Sequence, residues 1–440
     1  MPFSTVFRSL HSFNYRLWAA GAFVSNIGTW MQRTAQDWIV LAELTDHSAS
    51  AVGIVMALQF GPSLALLPLT GFAADHLDRR KLLLFTQSAQ GLLAFGLGVL
   101  TVTGHVQLWH VYVFALLLGC VTAFDAPARQ TFVAELVSDA LLSNAVALNS
   151  TSFNAARMIG PAIAGVLIAG IGTGWVFLLN AGSFVAVIVA LSFLRKQELH
   201  RKERAVRKAG SLLEGFAYVR GRPQLVTVLA MLFLIMTFGI NFPVFVSAMA
   251  VREFHAGSHE FGLLSSMLAV GSVAGALVAA GREKPRAMLL LVAAAAFGTS
   301  LGLAAVMPTY WTFGFLLVLV GLAAQTFNTT ANSTVQLWTE PAMRGRVMAI
   351  YMAIALGCTP LGAPFVGWVA DRFGPRWSLA VGAASGFLAA LVGIRYLVRH
   401  RGLHLRKDGM RWRIVLPTRE TAADARRPDV RSPDPNTATK

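Results

Sequence analysis

Ionisable side chains within apolar segments are the first features of this sequence that could do chemistry. Arg33 and Asp37 lie four residues apart in the segment SNIGTWMQRTAQDW, so they share one face of a helix and are spaced to form an ion pair. A charge buried in an apolar medium is costly unless it is paired, which makes such residues candidates for function. We interpret Asp37 as a group that takes up and releases a proton while Arg33 holds it in place. A static structural ion pair would explain the same spacing.

Other polar or aromatic residues in apolar segments are candidates for the same proton or substrate path. They are Asn26, Trp30, Gln36, Asn154, Arg157, Asn241, Gln325 and Asn328. Cys120 and Cys358 are the only cysteines, and no Gly-x-x-x-x-Gly-Lys-Ser/Thr loop occurs. We therefore predict no disulfide framework, metal site, cofactor or ATP-driven cycle.

The composition places these residues in a membrane protein. Hydrophobic residues make up 55% of the chain and charged residues 13%, whereas soluble domains carry about 25% charged residues. Each spanning helix needs about 20 mainly apolar residues, because its backbone groups must be satisfied internally. Apolar windows predict an all-α, polytopic protein with twelve spans, near 17–42, 50–74, 82–103, 108–130, 153–173, 174–194, 224–250, 261–281, 287–307, 310–333, 346–370 and 377–398.

The 37 lysines and arginines are distributed unevenly over the two sides of the membrane that these spans define. All but five lie on one side; Arg252, Arg372 and Arg376 lie on the other, and Arg33 and Arg157 fall within spans. Because cytoplasmic loops are enriched in Lys and Arg, both termini are predicted to be cytoplasmic. The net charge of +16 is thus explained by topology, and we expect no nucleic-acid partner.

The predicted domain organisation is a six-plus-six arrangement. It consists of a cytoplasmic N-terminus (1–16), a first six-helix bundle (17–194), a cytoplasmic linker (195–223), a second bundle (224–398) and a basic, disordered tail (399–440). Within the linker, LLEGFAYV is predicted to form a short amphipathic helix.

The two bundles show signs of internal repetition. Gly160, Gly165, Gly172 and Trp175 recur 202 positions later as Gly362, Gly367, Gly374 and Trp377, and FDAPARQT aligns with FNTTANST. Because six spans separate equivalent helices, this pattern predicts a parallel repeat of the kind found in transporters. Chance recurrence of glycine in membrane helices is the alternative.

The segment GFAADHLDRRK between the second and third spans resembles the signature loop of the major facilitator superfamily. Gly71, Asp75, Arg79 and Arg80 match that motif, whereas Asp78 stands where the family prefers glycine. The resemblance implies a conformational latch, in which Asp75 binds the N-terminal amides of the helix that begins near Arg346. A purely topological loop would explain the cations but not Asp75.

Two more segments extend the resemblance. FDAPARQ is similar to a phrase of the enterobactin-exporter-like group, which implies that Asp125, four residues before Arg129, joins the charge network of Arg79 or Arg80; a local ion pair is the alternative. ARMIGPAIAG resembles the antiporter signature of the fifth span and retains Gly160, Pro161 and Gly165. Ordinary packing of small residues would also explain this segment.

The combined prediction is a secondary transporter, not an enzyme. The resemblance implies export of an amphipathic, drug- or siderophore-like molecule across the bacterial cytoplasmic membrane by alternating access, in exchange for protons. Its partners would be the small molecule, protons and the lipid bilayer, and the protein would be a monomer. The alternatives are uptake by symport, translocation of a lipid-like substrate, and, less favoured, a membrane enzyme or receptor.

Overall fold

Long helices joined by short loops make up almost all of the described chain. The computed structural model describes residues 7–67, 69–70, 73, 77–200, 212–280, 287–401, 404–408 and 411–415. The helices of the first half are α1 (Phe13–Trp38), α2 (Ala49–Ala65), α3 (Arg79–Val102), α4 (Leu108–Phe132), α5 (Asp139–Ile171) and α6 (Thr173–Ser192).

The second half begins after the linker. Its helices are α7 (Leu212–Arg220), α8 (Pro223–Leu234), α9 (Phe242–Ala248), α10 (Ser258–Ala280), α11 (Ala287–Val306), α12 (Tyr310–Trp338), α13 (Arg344–Gly357), α14 (Thr359–Phe373) and α15 (Pro375–Arg401). The short helix predicted within the linker is therefore present, as α7.

Short irregular turns join or extend several of these helices. There are 3₁₀ turns at Arg8–His11, Val133–Glu135 and Lys196–Glu198, and π-helical turns at Ile39–Glu43, Ile235–Gly239 and Met249–Glu253. The predicted seventh span is thus α8 and α9 with a π turn after each, and not one continuous α-helix.

The beginning of the tail is more ordered than its composition predicts. Helix α15 continues to Arg401, and strands β1 (His404–Asp408) and β2 (Arg411–Val415) pair antiparallel, with His404 opposite Val415. In the sequence only Gly409 and Met410 separate the two strands, and a two-residue connection that begins with glycine is a hairpin signal that composition alone does not reveal. Residues 416–440 of the predicted tail lie outside the described residues.

Glycine and proline set several helix ends. Gly172 ends α5 with φ +88° and Gly374 ends α14 with φ +104°, a backbone region that favours glycine. Pro223 and Pro375 begin α8 and α15, where the missing N–H costs no helical hydrogen bond.

Ten helical segments of the described chain are long and apolar enough to cross a membrane. They are α3, α4, α5, α6, α8 with α9, α10, α11, α12, α13 with α14, and α15. Helix α2 is apolar but shorter, and α1 carries Arg16, Arg33 and Asp37. The chain is therefore a polytopic, helical membrane protein.

Two predicted span boundaries differ from the structure. Helix α5 begins at Asp139 instead of residue 153, because the polar segment DALLSNAVALNSTS continues the helix beyond the apolar window. The predicted eleventh span is divided at Cys358 into α13 and α14; Pro360, just after the break, lacks the N–H that would continue the helical hydrogen bonds.

Apolar side chains cover the outside of the helical body. Phe85 is 71% exposed, Leu92 71% and Leu361 68%, a distribution that a lipid environment satisfies and water does not. Polar side chains such as Gln87 and Asp125 are instead buried inside. This reversal of the soluble pattern is what the hydrocarbon interior of a membrane favours.

The two halves meet along two helix pairs, α2 with α14 and α5 with α10. Glycines allow both close approaches: a Cβ on Gly367 would lie 2.5 Å from the Ala49 carbonyl oxygen, and one on Gly165 would lie 2.6 Å from the Ser258 carbonyl oxygen. These two close approaches involve the N-terminal part of α2 and the C-terminal part of α5, so both lie toward the same end of the molecule.

Candidate functional site

A cavity of about 660 Å³ lies between the two halves. Helices α1, α2 and α5 contribute its walls from the first half, and α9, α10, α12 and α13 contribute from the second half. Its volume falls in the range of small-molecule sites, about 300–1,000 Å³. The cavity therefore has the size and the position of a binding site shared by both halves.

Six of the ten predicted path residues line this cavity. They are Trp30, Arg33, Asp37, Arg157, Gln325 and Asn328. These residues come from α1, α5 and α12, so the fold brings together positions that are far apart in the sequence.

The other four predicted path residues do not line it. Asn26 accepts a hydrogen bond from Arg129, the Asn154 amide donates to the Ser150 carbonyl, and the Asn241 amide donates to the Thr237 carbonyl. Gln36 is buried, and its amide nitrogen has no partner among the described residues. Because side chains of a helix point in all directions, polarity alone does not indicate which ones face a cavity.

The predicted ion pair between Arg33 and Asp37 is not formed. None of the ion pairs in the described part of the chain includes either residue. The Arg33 guanidinium carbon instead lies 4.9 Å from the centroid of the Trp30 ring and 5.6 Å from that of Phe60. Cation–π contact within about 6 Å is favourable, and it turns the guanidinium toward the rings. Asp37 is thus left facing the cavity.

Arg157 is a second cation at the cavity wall. It lies on α5, and its Nε and Nη2 atoms are buried and have no hydrogen-bond partner among the described residues. Phe153, one turn earlier on α5, contacts Trp30 edge-on at a centroid distance of 5.8 Å. Phe153 thus connects the helix that carries Arg157 to the aromatic group around Arg33.

The second half contributes neutral polar groups to the cavity. The Tyr351 hydroxyl donates to Asn328 Oδ1 at 2.9 Å, and the Gln325 amide donates to Thr329 Oγ1 at 3.3 Å. The sequence interpretation missed Tyr351, Gln59 and Phe60, which also line the cavity. Only the fold selects them, because aromatic and amide residues are frequent throughout the spans.

The antiporter-like residues of α5 pack the helices around the cavity. A Cβ on Gly160 would lie 2.6 Å from the Trp30 Cβ, so this glycine allows α5 to approach α1. Gly165 allows the approach of α10, whose Ser258 hydroxyl donates to the Gly165 carbonyl at 3.3 Å. Pro161 lies between them and lines the cavity.

Asp125 is held in a network within the first half. It accepts hydrogen bonds from Thr86 at 2.7 Å and Gln87 at 2.6 Å, and pairs with Arg129 at 3.3 Å. Arg129 also donates to Asn26 at 3.0 Å. The prediction that Asp125 joins Arg79 or Arg80 is wrong for this structure, because neighbouring helix α3 supplies closer donors.

The signature loop is only partly described. Gly71 and Asp75, the two residues on which the predicted latch depends, lie outside the described residues. Asp78 caps α3 by accepting a hydrogen bond from the Lys81 backbone at 3.0 Å. An aspartate at this position stabilises a helix start, so Asp78 has a structural role at the position where the family prefers glycine.

The two arginines of the loop have different partners. Arg79 pairs with Glu135 at 2.5 Å. Arg80 donates to the carbonyl oxygens of Leu191 at 2.7 Å and Ser192 at 3.3 Å, at the end of α6. Both contacts lie within the first half and fix the ends of its helices.

A cluster of contacts that the sequence interpretation missed joins the halves at the start of α2. We call it the Asp371 clasp. Asp371, near the end of α14, accepts hydrogen bonds from the Ser48 hydroxyl at 3.0 Å and from the backbone N–H groups of Ala49 at 2.8 Å and Ser50 at 2.9 Å. Arg252 completes the clasp with an ion pair to Asp371 at 3.1 Å. A carboxylate at a helix N-terminus is stabilised by the free N–H groups and the helix dipole.

The sequence does contain a signal for the clasp. GWVADRFGPR, which includes Asp371, has the same spacing as GFAADHLDRR: Gly367, Asp371 and Arg376 correspond to Gly71, Asp75 and Arg80 at an offset of 296. The segment around Asp371 also retains the glycine that Asp78 replaces, as Gly374. A comparison of the two segments would have identified Asp371 as a candidate.

Comparison with known proteins agrees with this architecture. Residues 4–413 match the family described as transmembrane secretion effectors. The staphyloferrin A transporter of Staphylococcus aureus is 29% identical over 81% of this chain and 89% of its own length. The multidrug efflux pump Tap of Mycolicibacterium fortuitum is 28% identical over 87% and 95%, and the enterobactin exporter EntS of Escherichia coli is 26% identical over 82% and 85%.

Solved transporter structures share the fold. The nucleoside transporter NupG has a TM-score of 0.66 at 12% identity, covering 87% of this chain and 98% of its own. A D-xylose–proton symporter has a TM-score of 0.66 at 13% identity, covering 87% and 97%. The predicted resemblance is confirmed, as is the prediction of a small-molecule transporter of the exporter type, and the chain belongs to the transmembrane secretion effector family of major facilitator proteins.

Proposed function

We propose that this protein exports an amphipathic small molecule across the cytoplasmic membrane by alternating access, in exchange for protons. The observation that carries the proposal is the cavity between the two halves, which holds both arginine and carboxylate groups. Drug and siderophore transporters among the relatives support an amphipathic substrate. The size of the substrate is limited by the cavity, which has a volume of about 660 Å³ in the present state.

Twelve spans fit this proposal best. Helices α1 and α2 would add to the ten apolar segments, because α1 turns its ionisable residues toward the cavity and α2 lies between α4 and α14. Both termini would then be cytoplasmic. Gly172 and Gly374, which are 202 positions apart and end α5 and α14 with similar φ angles, support the proposed repeat of the two halves.

Two aspartates would stabilise the two access states. In this topology the Asp371 clasp lies at the extracellular end, where it would close the cavity to the outside. Asp75, at the cytoplasmic end of the second span, would bind the N-terminus of α13 when the cytoplasmic side closes. The equal spacing of the two motifs supports this reciprocal arrangement, in which a monomer suffices for the whole cycle.

Asp37 is the proposed proton carrier. It lines the cavity, and none of the described ion pairs includes it, so a proton is free to bind and leave. Arg33 does not form an ion pair with Asp37. It contributes a positive charge to the cavity wall from its position over the Trp30 ring.

Everted membrane vesicles containing the protein test this proposal. With the vesicle interior acidified, export corresponds to movement of the amphipathic fluorescent dye dansyl-phenylalanine into the vesicle, driven by protons leaving it. We expect Asp37→Asn to abolish this gradient-driven movement while retaining exchange of dye across the membrane without a gradient. Asp46→Asn, at an exposed carboxylate outside the cavity, is the matched control. Unchanged gradient-driven movement in Asp37→Asn would remove this residue from the proton path, and dye movement in the opposite direction would indicate symport.

A further inference from the structure

The charge of the cavity wall is unbalanced. Among the described residues that line it, the arginines are Arg33 and Arg157 and the only carboxylate is Asp37, which leaves one excess positive charge in this set. Neither arginine takes part in an ion pair within the described chain. Arginine stays protonated at any accessible pH, so this charge is permanent.

Arg157 is the arginine whose unpaired donors are buried. Its Nε and Nη2 atoms are buried without an acceptor in the described chain. An uncompensated buried charge is strongly destabilising, and arginine offers a planar fork of donors that matches two oxygens at once. The unpaired Arg157 donors lie at the wall of a cavity, where a bound molecule can supply the missing acceptor.

The surroundings of the two arginines favour a molecule with a flat apolar part. The Arg33 guanidinium lies over the rings of Trp30 and Phe60, and Trp30 also makes an edge-on contact with Phe153. On the opposite wall, Phe261 and Phe242 also line the cavity. Aromatic walls with a few fixed polar groups are the usual composition of sites for amphipathic organic ligands.

We propose that Arg157 and Arg33 bind the acidic group of the exported molecule, and that this protein therefore prefers organic anions with a carboxylate next to an aromatic body. The acidic group supplies the two oxygen acceptors that Arg157 lacks, and the aromatic part packs against Trp30. The inference rests on the proposed function for the assumption that the cavity is the substrate site.

A pair of fluorescent probes that differ only in charge tests the inference. Purified protein is titrated with dansyl-phenylalanine, which has a carboxylate, and with dansyl-phenylalaninamide, which is neutral. Wild-type protein is expected to bind the acid about 10- to 100-fold more tightly, the range of one charge-assisted hydrogen-bonded pair. Equal affinities, or no binding of the acid up to about 1 mM, would overturn the inference without any variant being needed.

Variants then locate the acidic group. Arg157→Gln should remove most of the preference for the acid and change the affinity for the amide by less than about threefold, while Arg157→Lys should retain part of the preference. Arg16→Gln, which removes an exposed cation outside the cavity on α1, the helix that carries Arg33, should behave like wild type. Full preference in Arg157→Gln would refute the assignment.

Transport of the same probes separates this inference from the proposed function. If both probes cross the membrane of proteoliposomes in a protein-dependent way but bind with equal affinity, the protein is a transporter and the anion site is wrong. If the acid binds selectively but neither probe crosses, the anion site stands and the proposed export is wrong.

Discussion

Replacing Asp371 by asparagine should shift this transporter away from the state described here. The carboxylate distributes four donors over its two oxygens: the Ser48 hydroxyl and Ser50 N–H bind Oδ2, and the Ala49 N–H and Arg252 bind Oδ1. Asparagine keeps one acceptor oxygen and places an NH₂ group opposite the other two donors. At least one N–H at the start of α2 then loses its acceptor.

The structure allows the size of this shift to be worked out. Hydrogen bonds to charged groups contribute about 1.5–3 kcal/mol each, but the Asp371 side chain is 28% exposed, and solvent screening reduces that contribution. We expect a net loss of about 2 kcal/mol, which is roughly a 30-fold change in the equilibrium. A wild-type protein with about 1% of molecules open on the extracellular side would then have roughly a quarter open.

Distances between spin labels on the two halves measure this population. His105 and Pro308 are exposed residues in the α3–α4 and α11–α12 loops, and both loops lie on the proposed extracellular side. Cysteines at these positions, in a background without Cys120 and Cys358, allow electron–electron double resonance measurements. The longer-distance population should increase in Asp371→Asn.

Two controls make the result interpretable. Arg372→Gln removes a charge next to Asp371, and Arg372 is in none of the described ion pairs, so this variant should match wild type. Arg252→Gln removes the partly exposed ion pair, worth about 0–1 kcal/mol, and the hydrogen bond from Arg252 to the Ala370 carbonyl. It should shift the population by less than Asp371→Asn, because the donors at the start of α2 keep their carboxylate acceptor. An unchanged distance distribution in Asp371→Asn, or an equal shift in Arg372→Gln, would refute the reasoning.

Two further substitutions test local structure. Asp125→Ala leaves the cation of Arg129 without its anion in a buried network, which should lower the free energy of unfolding by about 3–5 kcal/mol. Asp125→Asn should lower it by less, because asparagine can still accept a hydrogen bond from Thr86. Equal thermal midpoints for the two variants would contradict this. Asp78→Ala removes the cap of α3 and should cost about 1 kcal/mol, whereas Asp78→Gly should cost only a few tenths; a large change in the balance of access states for either variant would instead place Asp78 in the latch.

The spans were predictable because each depends on local composition. Apolar windows located the ten long apolar segments of the described chain, and the linker helix was visible as a short amphipathic pattern. The start of α5 was not predictable in this way, since the helix continues into a polar segment from Asp139. The division at Cys358 and the π turns likewise depend on packing and not on hydropathy.

The site was predictable only in part because its contacts are long-range. Spacing alone suggested that Arg33 would pair with Asp37, but the rings of Trp30 and Phe60 compete for the guanidinium. Asp371 contacts Ser48 across a sequence separation of 323 residues. No local pattern reports such a contact, although the repeated glycine–aspartate spacing identifies the residue type that would make it.

The repeated glycine–aspartate motif supplies one contact for each access state of the proposed cycle. Both contacts would join α2 to the predicted eleventh span, which consists of α13 and α14. Asp371 on α14 holds the N-terminus of α2 in the present state, and Asp75, which follows α2 in the sequence, is predicted to hold the N-terminus of α13 in the opposite state. In the proposed cycle, rocking of one half against the other would separate one contact as it forms the other. Which side of the membrane the empty cavity faces would then depend on the difference in free energy between the Asp371 contact and the Asp75 contact. The strength of either contact alone would not determine it.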